Sequence, residues 1–598
     1  MTAIAIDPTD ATGNTVFIGG AGGGVWKTTT GGISVNGAPA WIPLTDNQAS
    51  LSIGALAIAI DPTNLQDGNH RVIYAATGEQ AGLGFDAYYG EGVIKSLNGG
   101  SSWAAACTGS AFTNSSCPFT GPFSDTFFPG GGARIGSMAV NPANPQMLLA
   151  AVEMFAGSGL ANPAGQPGIY CTANAGASWT HILPTGLSST AMATEVFFAG
   201  ASTAYAAIGR SSGDSTNGIY VSRNANLACA SQTWTRVTGI DAVVTRASMG
   251  RIELTSAPGN SSVLYAGIAD AATGSNSLLA GGGVFKSADG GNTWAVTNAP
   301  DFCHAECWDS LVIRADPADA SGNTVFAGGS DAADSQGNSL TLIRSIDGGN
   351  TWSSFAVTNN QGTALHSGHN AIAFAANASE MYVGNDGGVW SSANAANTAT
   401  MSGNQTWTNL NAGLAITQFN PGFSIHPSTP AEGFGGTQHN GAQTYAGDGS
   451  ASAPWLNPSG CTDGGFTIID PTLPTTFLVA CGSASSATIF RSDSSGAVGS
   501  FFAAATGIAI TDPINTNPPL VADPSTPGRY YFGTNQLYQT NNRGNSWTMI
   551  SCHVSNCSQS AAGDLTSGNG NFLTAIAVSS STPAVIYVGA SDATVQLT

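Results

Sequence analysis

The chain has 598 residues, 78 of them glycine, and only 8% are charged, against about 25% in an ordinary soluble protein. That length exceeds one ordinary core and points to several domains or a repeat array. With a net charge of −20, and only Lys27, Lys95 and Lys286 as lysines, it carries no basic stripe, which excludes nucleic acid and anionic membrane surfaces as expected partners.

The first elements set a pattern. Residues 3–8 read AIAIDP and 16–20 read VFIGG, followed by WKTTTGG at 26–32 and a Trp at 41. The succession returns as ALAIAIDP (55–62), VIYAATG (72–78) and KSLNGGSSW (95–103), then as SMAVNP (137–142) and CTANAGASW (171–179). Further on stand VLYAGIAD (263–270) with KSADGGNTW (286–294), and LVIRADP (311–317) with VFAGG (325–329) and RSIDGGNTW (344–352). MYVGNDGG (381–388), QTNNRGNSW (539–547) and VIYVGAS (585–591) extend it to the end. Four short β-branched and aromatic runs per unit, separated by Gly, Asn and Asp, predict a four-stranded antiparallel meander.

Units open near residues 2, 54, 134, 191, 250, 310, 370, 421, 466, 518 and 573. Their spacing of roughly 40–60 residues is that of propeller blades. A lone meander cannot cover both faces of its sheet, whereas radial stacking covers each face with a neighbour. The expected fold class is therefore all-β, a β-propeller of about ten to eleven four-stranded blades. Two closures stay open: one large ring, or a seven-bladed ring over 1–418 followed by a second, partial propeller over 419–598. The lapse of strand regularity at NLNAGLAITQF (409–419) favours the second.

In the recurring turn S-x-D-G-G-x-T-W, the Asp accepts backbone N–H groups, the glycines supply positive φ, and the Trp fills the gap between blades. Asp289 and Asp347 are accordingly read as staples of the turn. The turn resembles the Asp-box, or BNR, repeat. The whole chain resembles bacterial exported BNR propellers and, more distantly, sialidases, sortilins and tandem-propeller xyloglucanases. The resemblance implies an extracellular propeller whose ligand face lies away from the Asp-box turns, on the loops around the inner strands.

Those loops carry Glu79, Glu153, Arg210, Asp270, Asp331 and Asp386. The stretch 365–466 is the least repetitive, with LHSGHNAIAF, MYVGNDGGVW, GGTQHNGAQTY and GCTDGGF in succession. It supplies Asp386 and Asp463, each before two glycines, as the candidate catalytic pair. Glu79, Glu153, Arg210, Asp270, His366, His369 and His439 are the candidate binding residues. Acid and base work on a glycosidic bond needs two carboxyl groups ~5–9.5 Å apart. The bacterial group reads H-x-D-x-H and G-G-x-Q-D-N-G in this region. Here His366, Gly368 and Asn370 stand in the first motif and His439 replaces the Asp of the second; Ala21 stands where xyloglucanases carry an Asp. These replacements turn the reading toward a binding or scaffold propeller that engages a polysaccharide or a cell-surface glycoprotein. A polysaccharide-degrading glycoside hydrolase is the alternative, and a sortilin-like peptide binder the third reading. Arg134, Arg246, Arg251 and Arg314 lack the Phe-Arg-Ile-Pro setting of the sialidases. No cofactor is implied.

The ten cysteines fall into the couples Cys107/Cys117, Cys171/Cys229, Cys303/Cys307, Cys461/Cys481 and Cys552/Cys557, which predicts five disulfides and an oxidising compartment. FCHAEC (302–307) sets His304 between two thiols, the one stretch with a zinc alternative; a metal site is not expected. Met1 runs straight into a strand, so a mature or truncated form of an exported protein is expected, without a visible signal. No apolar run reaches the ~18 residues of a membrane span.

Overall fold

Each apolar run of the sequence forms a strand, and each strand pairs with its sequence neighbour, antiparallel. The computed structural model describes the chain except residues 36–39, 81–87, 108–132, 156–165, 185, 188–190, 277–281, 305, 331–338, 357–364, 377–379, 394–405, 446, 448–454, 459, 483–487, 510, 552–564, 567–569 and 598. Among the described residues eleven meanders follow one another, nine with four strands and two with three. We number these sheets 1–11 in chain order. The first strands of sheets 1–7 are Ala3–Ile6, Ile53–Ile60, Ala133–Asn141, Ala193–Phe198, Met249–Ala257, Val312–Ala315 and Ala371–Phe374. Those of sheets 8–11 are Ser424–Ile425, Gly464–Ile469, Leu520–Ala522 and Leu573–Val578. Among the described residues helix is confined to short 3-10 turns such as Thr238–Ala242. The architecture is all-β and of propeller type. Among the described residues sheet 8 has three strands where the repeat predicts four, and sheet 11, the unit that the repeat leaves partial, has three. The chain divides into two compact units, Met1–Ile416 with sheets 1–7 and Thr417–Thr598 with sheets 8–11.

Local chemistry explains the meander. Sheet 1 pairs Ala3–Ile6 with Val16–Gly20 in the register Ala3↔Gly19 to Ile6↔Val16. The chain reverses at Asp7-Pro8, where the Asp7 carboxylate accepts the Thr9 N–H at 2.8 Å and its hydroxyl at 2.7 Å. Asp61, Asp316, Asp470 and Asp523, each followed by Pro, accept the N–H two residues on in the same way. The repeated Asp-Pro is thus an Asx turn with a preset φ.

The reversal between third and fourth strands is the Trp-containing turn. Asp289 accepts the Ser287 hydroxyl at 2.9 Å, the Thr293 N–H at 2.9 Å and the Thr293 hydroxyl at 2.6 Å. Asp347 repeats all three contacts with Ser345 and Thr351. Gly291 adopts φ +91°, and a Cβ there would sit 3.0 Å from Val237 Cγ1, so only glycine satisfies both backbone and packing. Trp294 then inserts beside Tyr205, Ile219 and Phe285, between sheets 4 and 5. Trp179, Trp234 and Trp547 fill the corresponding layers between sheets 2 and 3, 3 and 4, and 9 and 10.

In the first unit the first strands pack in succession from sheet 1 to sheet 7, and the first strand of sheet 7 packs back on that of sheet 1. Three hydrogen bonds cross this last junction. Met1 donates its ammonium to Asn385 O at 3.1 Å, Trp41 Nε1 donates to Leu410 O at 2.7 Å, and the Tyr382 hydroxyl donates to Gly13 O at 3.2 Å. In the second unit sheet 8 packs on 9, 9 on 10 and 10 on 11.

Disulfides join Cys171 to Cys229, Cys303 to Cys307 and Cys461 to Cys481. The Cys303–Cys307 bond removes the zinc alternative, because both sulfurs that would ligate are consumed. Cys107 is also disulfide-bonded; Cys117, Cys552 and Cys557 lie outside the described residues. Among the described residues no helix is long and apolar enough to cross a membrane.

Candidate functional site

In an antiparallel meander, the loops joining second to third strands and those leading into first strands lie at one end of the sheet. The Asp-Pro and Trp turns lie at the other. Asp289 and Asp347 are therefore remote from the loop face that carries the candidate residues.

On the loop face of the first unit, Glu79 follows the second strand of sheet 2, Arg71–Thr77. Its backbone N–H donates to Tyr88 O at 2.9 Å, and its carboxylate accepts the Tyr88 N–H at 3.4 Å. Burial pushes its carboxyl up to about 7, and the negative charge of Asp309, which precedes sheet 6, adds to the rise. The Tyr88 N–H, the Met1 ammonium and the Arg134 guanidinium pull the other way without cancelling it. Charges at sheets 1, 3 and 6 are thus felt at one carboxyl of sheet 2, which titrates near neutral pH.

The other candidates separate by role. Glu153 is buried in the second strand of sheet 3, at the bulge between the pairs Val152–Ile135 and Met154–Arg134. Asp270, buried at the end of the second strand of sheet 5, accepts the N–H groups of Ala272 and Thr273 at 3.0 and 2.8 Å and the Thr273 hydroxyl at 2.9 Å. That is a turn cap. Arg210 clamps its loop through Asn217, which accepts the Arg210 N–H at 3.0 Å and donates to its carbonyl at 2.9 Å. Asp331 lies outside the described residues.

Asp386, His366 and His369 come together at sheet 7. A Cβ on Gly368 would overlap the Asp386 carboxylate, and one on Gly387 would overlap the His366 ring. Glycine at both positions is what lets this corner close. His369 is fully buried, and neither ring nitrogen has a hydrogen-bond partner among the described residues. Burial drives its imidazole down to about 3, although Asp386 opposes this, so the ring is neutral. Asp463 and His439 belong to the second unit. Asp463, at the start of sheet 9, accepts the His439 N–H at 2.7 Å, holding a residue at φ +58° in a tight turn. The two aspartates of the expected pair therefore sit in different units. Among the described residues, no group of three or more His, Cys, Asp or Glu side chains is placed to hold a metal ion.

Sequence reasoning noted Arg251 and Arg314 but missed Glu195 and Glu253, with which they form a second cluster on the first strands of sheets 4, 5 and 6. The available signal was a charged residue inside an otherwise apolar innermost run, as in ATEVFF, GRIEL and LVIRA. The second unit carries one conspicuous surface feature, a set of aromatic rings. Trp455, 42% exposed, lies 4.9 Å from Phe419, 5.1 Å from Tyr445 and 6.2 Å from Phe423 by ring centroid.

No protein-family model matches the chain, and no curated protein matches it. Among solved structures it is similar to a GH74 xyloglucanase from Xanthomonas campestris, at 15% identity and a TM-score of 0.55, covering 100% of this chain and 85% of that one. It is also similar to an ancestral GH74 enzyme, at 16% identity and a TM-score of 0.57, covering 100% of this chain and 76% of that one. At this identity the likeness is one of fold.

Proposed function

We propose that the protein is an extracellular, polysaccharide-degrading glycoside hydrolase of the Asp-box propeller type, with Glu79 as its proton donor. The observation that carries this reading is the Glu79 carboxyl, held near 7 by burial beside the charge of Asp309. A general acid works best when its pKa lies near the operating pH. Glycosidic cleavage uses one protonated and one ionised carboxyl, and we assign Asp309, whose charge is felt at Glu79, as the second carboxylate. We read the first unit as a closed seven-bladed ring and the second as a partial propeller. The likeness to GH74 enzymes supports a polysaccharide as substrate, and the disulfides support an extracellular setting. In this assignment Asp386 and Asp463 position loops.

The test is a screen of the purified protein for reducing ends released from plant and bacterial polysaccharides, followed by Glu79→Gln. Release that Glu79→Gln leaves unchanged sinks the assignment of Glu79, and no release from any polysaccharide sinks the enzyme reading.

A second reading, a glycan-binding module, is favoured by the exposed rings of Trp455 and Phe423, since flat aromatic faces are sequence-tolerant platforms for apolar surfaces. Retention of the protein on a polysaccharide affinity gel, lost in Trp455→Ala without any cleavage, would select it.

A further inference from the structure

The first strands of six of the seven sheets of the first unit, together with Arg314 on the first strand of sheet 6, line a cavity of about 290 Å³. Four successive sheets send polar side chains into one connected cluster there. Ser137 of sheet 3 donates to Glu195 Oε1 of sheet 4 at 2.7 Å. The Glu195 carboxyl shares a hydrogen bond with that of Glu253 on sheet 5. Arg314 of sheet 6 brings Nη2 to 3.9 Å from Glu195 Oε2. Arg251, also on sheet 5, donates from Nη2 to Glu253 Oε1 and to the Leu311 carbonyl, each at 3.2 Å, and from Nη1 to the Asp309 carbonyl.

Two carboxyl groups can share a hydrogen bond only when one of them holds a proton. Burial and the neighbouring Glu253 charge raise the Glu195 carboxyl well above the ordinary carboxylate range and place that proton on it. The pair then carries one negative charge against two guanidiniums, so the cluster is locally cationic in a chain of net charge −20. Both Nη groups of Arg251 are engaged, by Glu253 and two carbonyls, while its buried Nε has no partner among the described residues. Arg314 is less engaged: among the described residues its one hydrogen bond runs from Nη1 to Ile313 O at 2.8 Å, and its side chain is 34% exposed. A guanidinium that is one-third exposed, with its nearest carboxyl at 3.9 Å and no hydrogen bond to another side chain among the described residues, gains most from an oxyanion.

We propose that this channel is a binding site for a small hydroxylated carboxylate of sugar-acid size, its carboxylate paired with Arg314 and its hydroxyls facing the Glu195–Glu253 pair. The planar guanidinium fits a carboxylate through two parallel N–H donors. The cavity lies at the small end of ligand sites, which excludes a polymer chain. A metal cation is disfavoured because both arginines repel it. The site stands independently of the Glu79 reading, since none of Ser137, Glu195, Arg251, Glu253 and Arg314 is assigned a part in cleavage.

The experiment is isothermal titration of the full chain with D-galacturonate and, separately, with D-galactose. Saturable binding of one galacturonate per chain is expected, at least roughly tenfold tighter than galactose. Arg314→Gln should weaken it by roughly tenfold or more, while Glu195→Gln, which keeps a neutral hydrogen-bonding group, should stay within about threefold. If Arg314→Gln does not fold, Arg314→Lys takes its place, and it too should weaken binding by losing the two-donor grip. Absence of galacturonate binding, equal binding of the two sugars, or affinity indifferent to Arg314 would each overturn the proposal.

Discussion

The two units are made from one repeat, yet their end sheets meet opposite fates. In the first unit the apolar side chains of sheet 1, among them Val16, Ile18 and Trp26, pack with Tyr382, Val389 and Leu410 of sheet 7. In the second unit sheet 11 exposes Tyr587, Val595 and Leu597, and sheet 8 exposes Phe423 and Ile425. Among the described residues no strand of sheet 11 packs substantially on sheet 8. A meander therefore does not own its core; burial is conferred by the neighbour, as in other arrays whose stability is a sum of units and interfaces. The same contrast governs chemistry. Polar groups from four sheets converge on Glu195 only because first strands succeed one another around a shared cavity. In the second unit the aspartate singled out by sequence, Asp463, is engaged in holding its own turn.

The largest expected effect follows from that difference in chemistry. With a polysaccharide substrate in hand, Glu79→Gln in the first unit should lower turnover by about 100- to 10,000-fold, the usual contribution of a proton-transfer group. Turnover of the unmodified protein should fall as pH rises through about 7, where Glu79 loses its proton, and this limb should vanish in the variant. Asp463→Asn should leave turnover nearly unchanged and lower only the melting temperature, because the lost function is the cap on His439. Equal losses of turnover in both variants would break the contrast.

Next in size is the layer that joins sheet 7 to sheet 1. Trp41 is buried and donates to Leu410 O, so Trp41→Ala should destabilise by about 3–5 kcal/mol, the cost of a large aromatic cavity plus an unpaired carbonyl. Calorimetry should show the loss in the transition of the first unit and not in that of the second. A single transition that shifts as a whole would mean that the two units unfold as one.

How much of this was legible is decided residue by residue. The Asp-Pro reversals and the Trp turns could be read because each depends on contacts within five or so residues. The Glu79 position was legible for the same reason, since it directly follows a strand. What raises its pKa was not, because Asp309 and the Met1 ammonium lie on other sheets. Glu195 and Glu253 look like defects in apolar strands until the sheets are stacked. Asp386 and Asp463 share a local motif, Asp-Gly-Gly, yet in one case the glycines admit a histidine corner and in the other the Asp caps a turn. Local identity therefore did not carry a common role.

A smaller, pH-dependent contrast separates the units again. Burial alone would raise the Asp470 carboxyl of the second unit, but hydrogen bonds from Tyr530 and Thr472 outweigh it and hold it below its ordinary 3.8. The stabilisation is present above pH 3.8 and is lost as pH falls below it. Glu79 has the opposite sign: the folded state keeps a proton that the unfolded chain releases near 4.5, so its contribution diminishes as pH rises from 4.5 to about 7. His369 of the first unit, held neutral by burial, gains stability over part of the same range, so the Glu79 contribution is read as the stability difference between the protein and Glu79→Gln, which should shrink as pH rises from 5 to 7. The second unit should weaken on strong acidification, and Asp470→Asn should reduce that loss.

The smallest expected effect is the sharpest probe of the end sheets, because one substitution can be placed in both. Val16→Thr in sheet 1 inserts a hydroxyl into a fully buried site in the apolar cluster with Ile18, Trp26 and Val389. It should cost about 1–3 kcal/mol, the penalty of an unsatisfied buried hydroxyl together with lost packing. Val595→Thr in sheet 11 places the same hydroxyl on a residue that is 77% exposed, so water satisfies it and the change should stay within about 0.5 kcal/mol. Urea midpoints at constant slope measure both. A Val595→Thr penalty as large as that of Val16→Thr would mean that the face of sheet 11 is covered in solution. Repeating the measurement over a hundredfold dilution then separates the causes: a penalty that fades on dilution identifies a second copy of the chain as the cover, since only an association driven by concentration is undone by it.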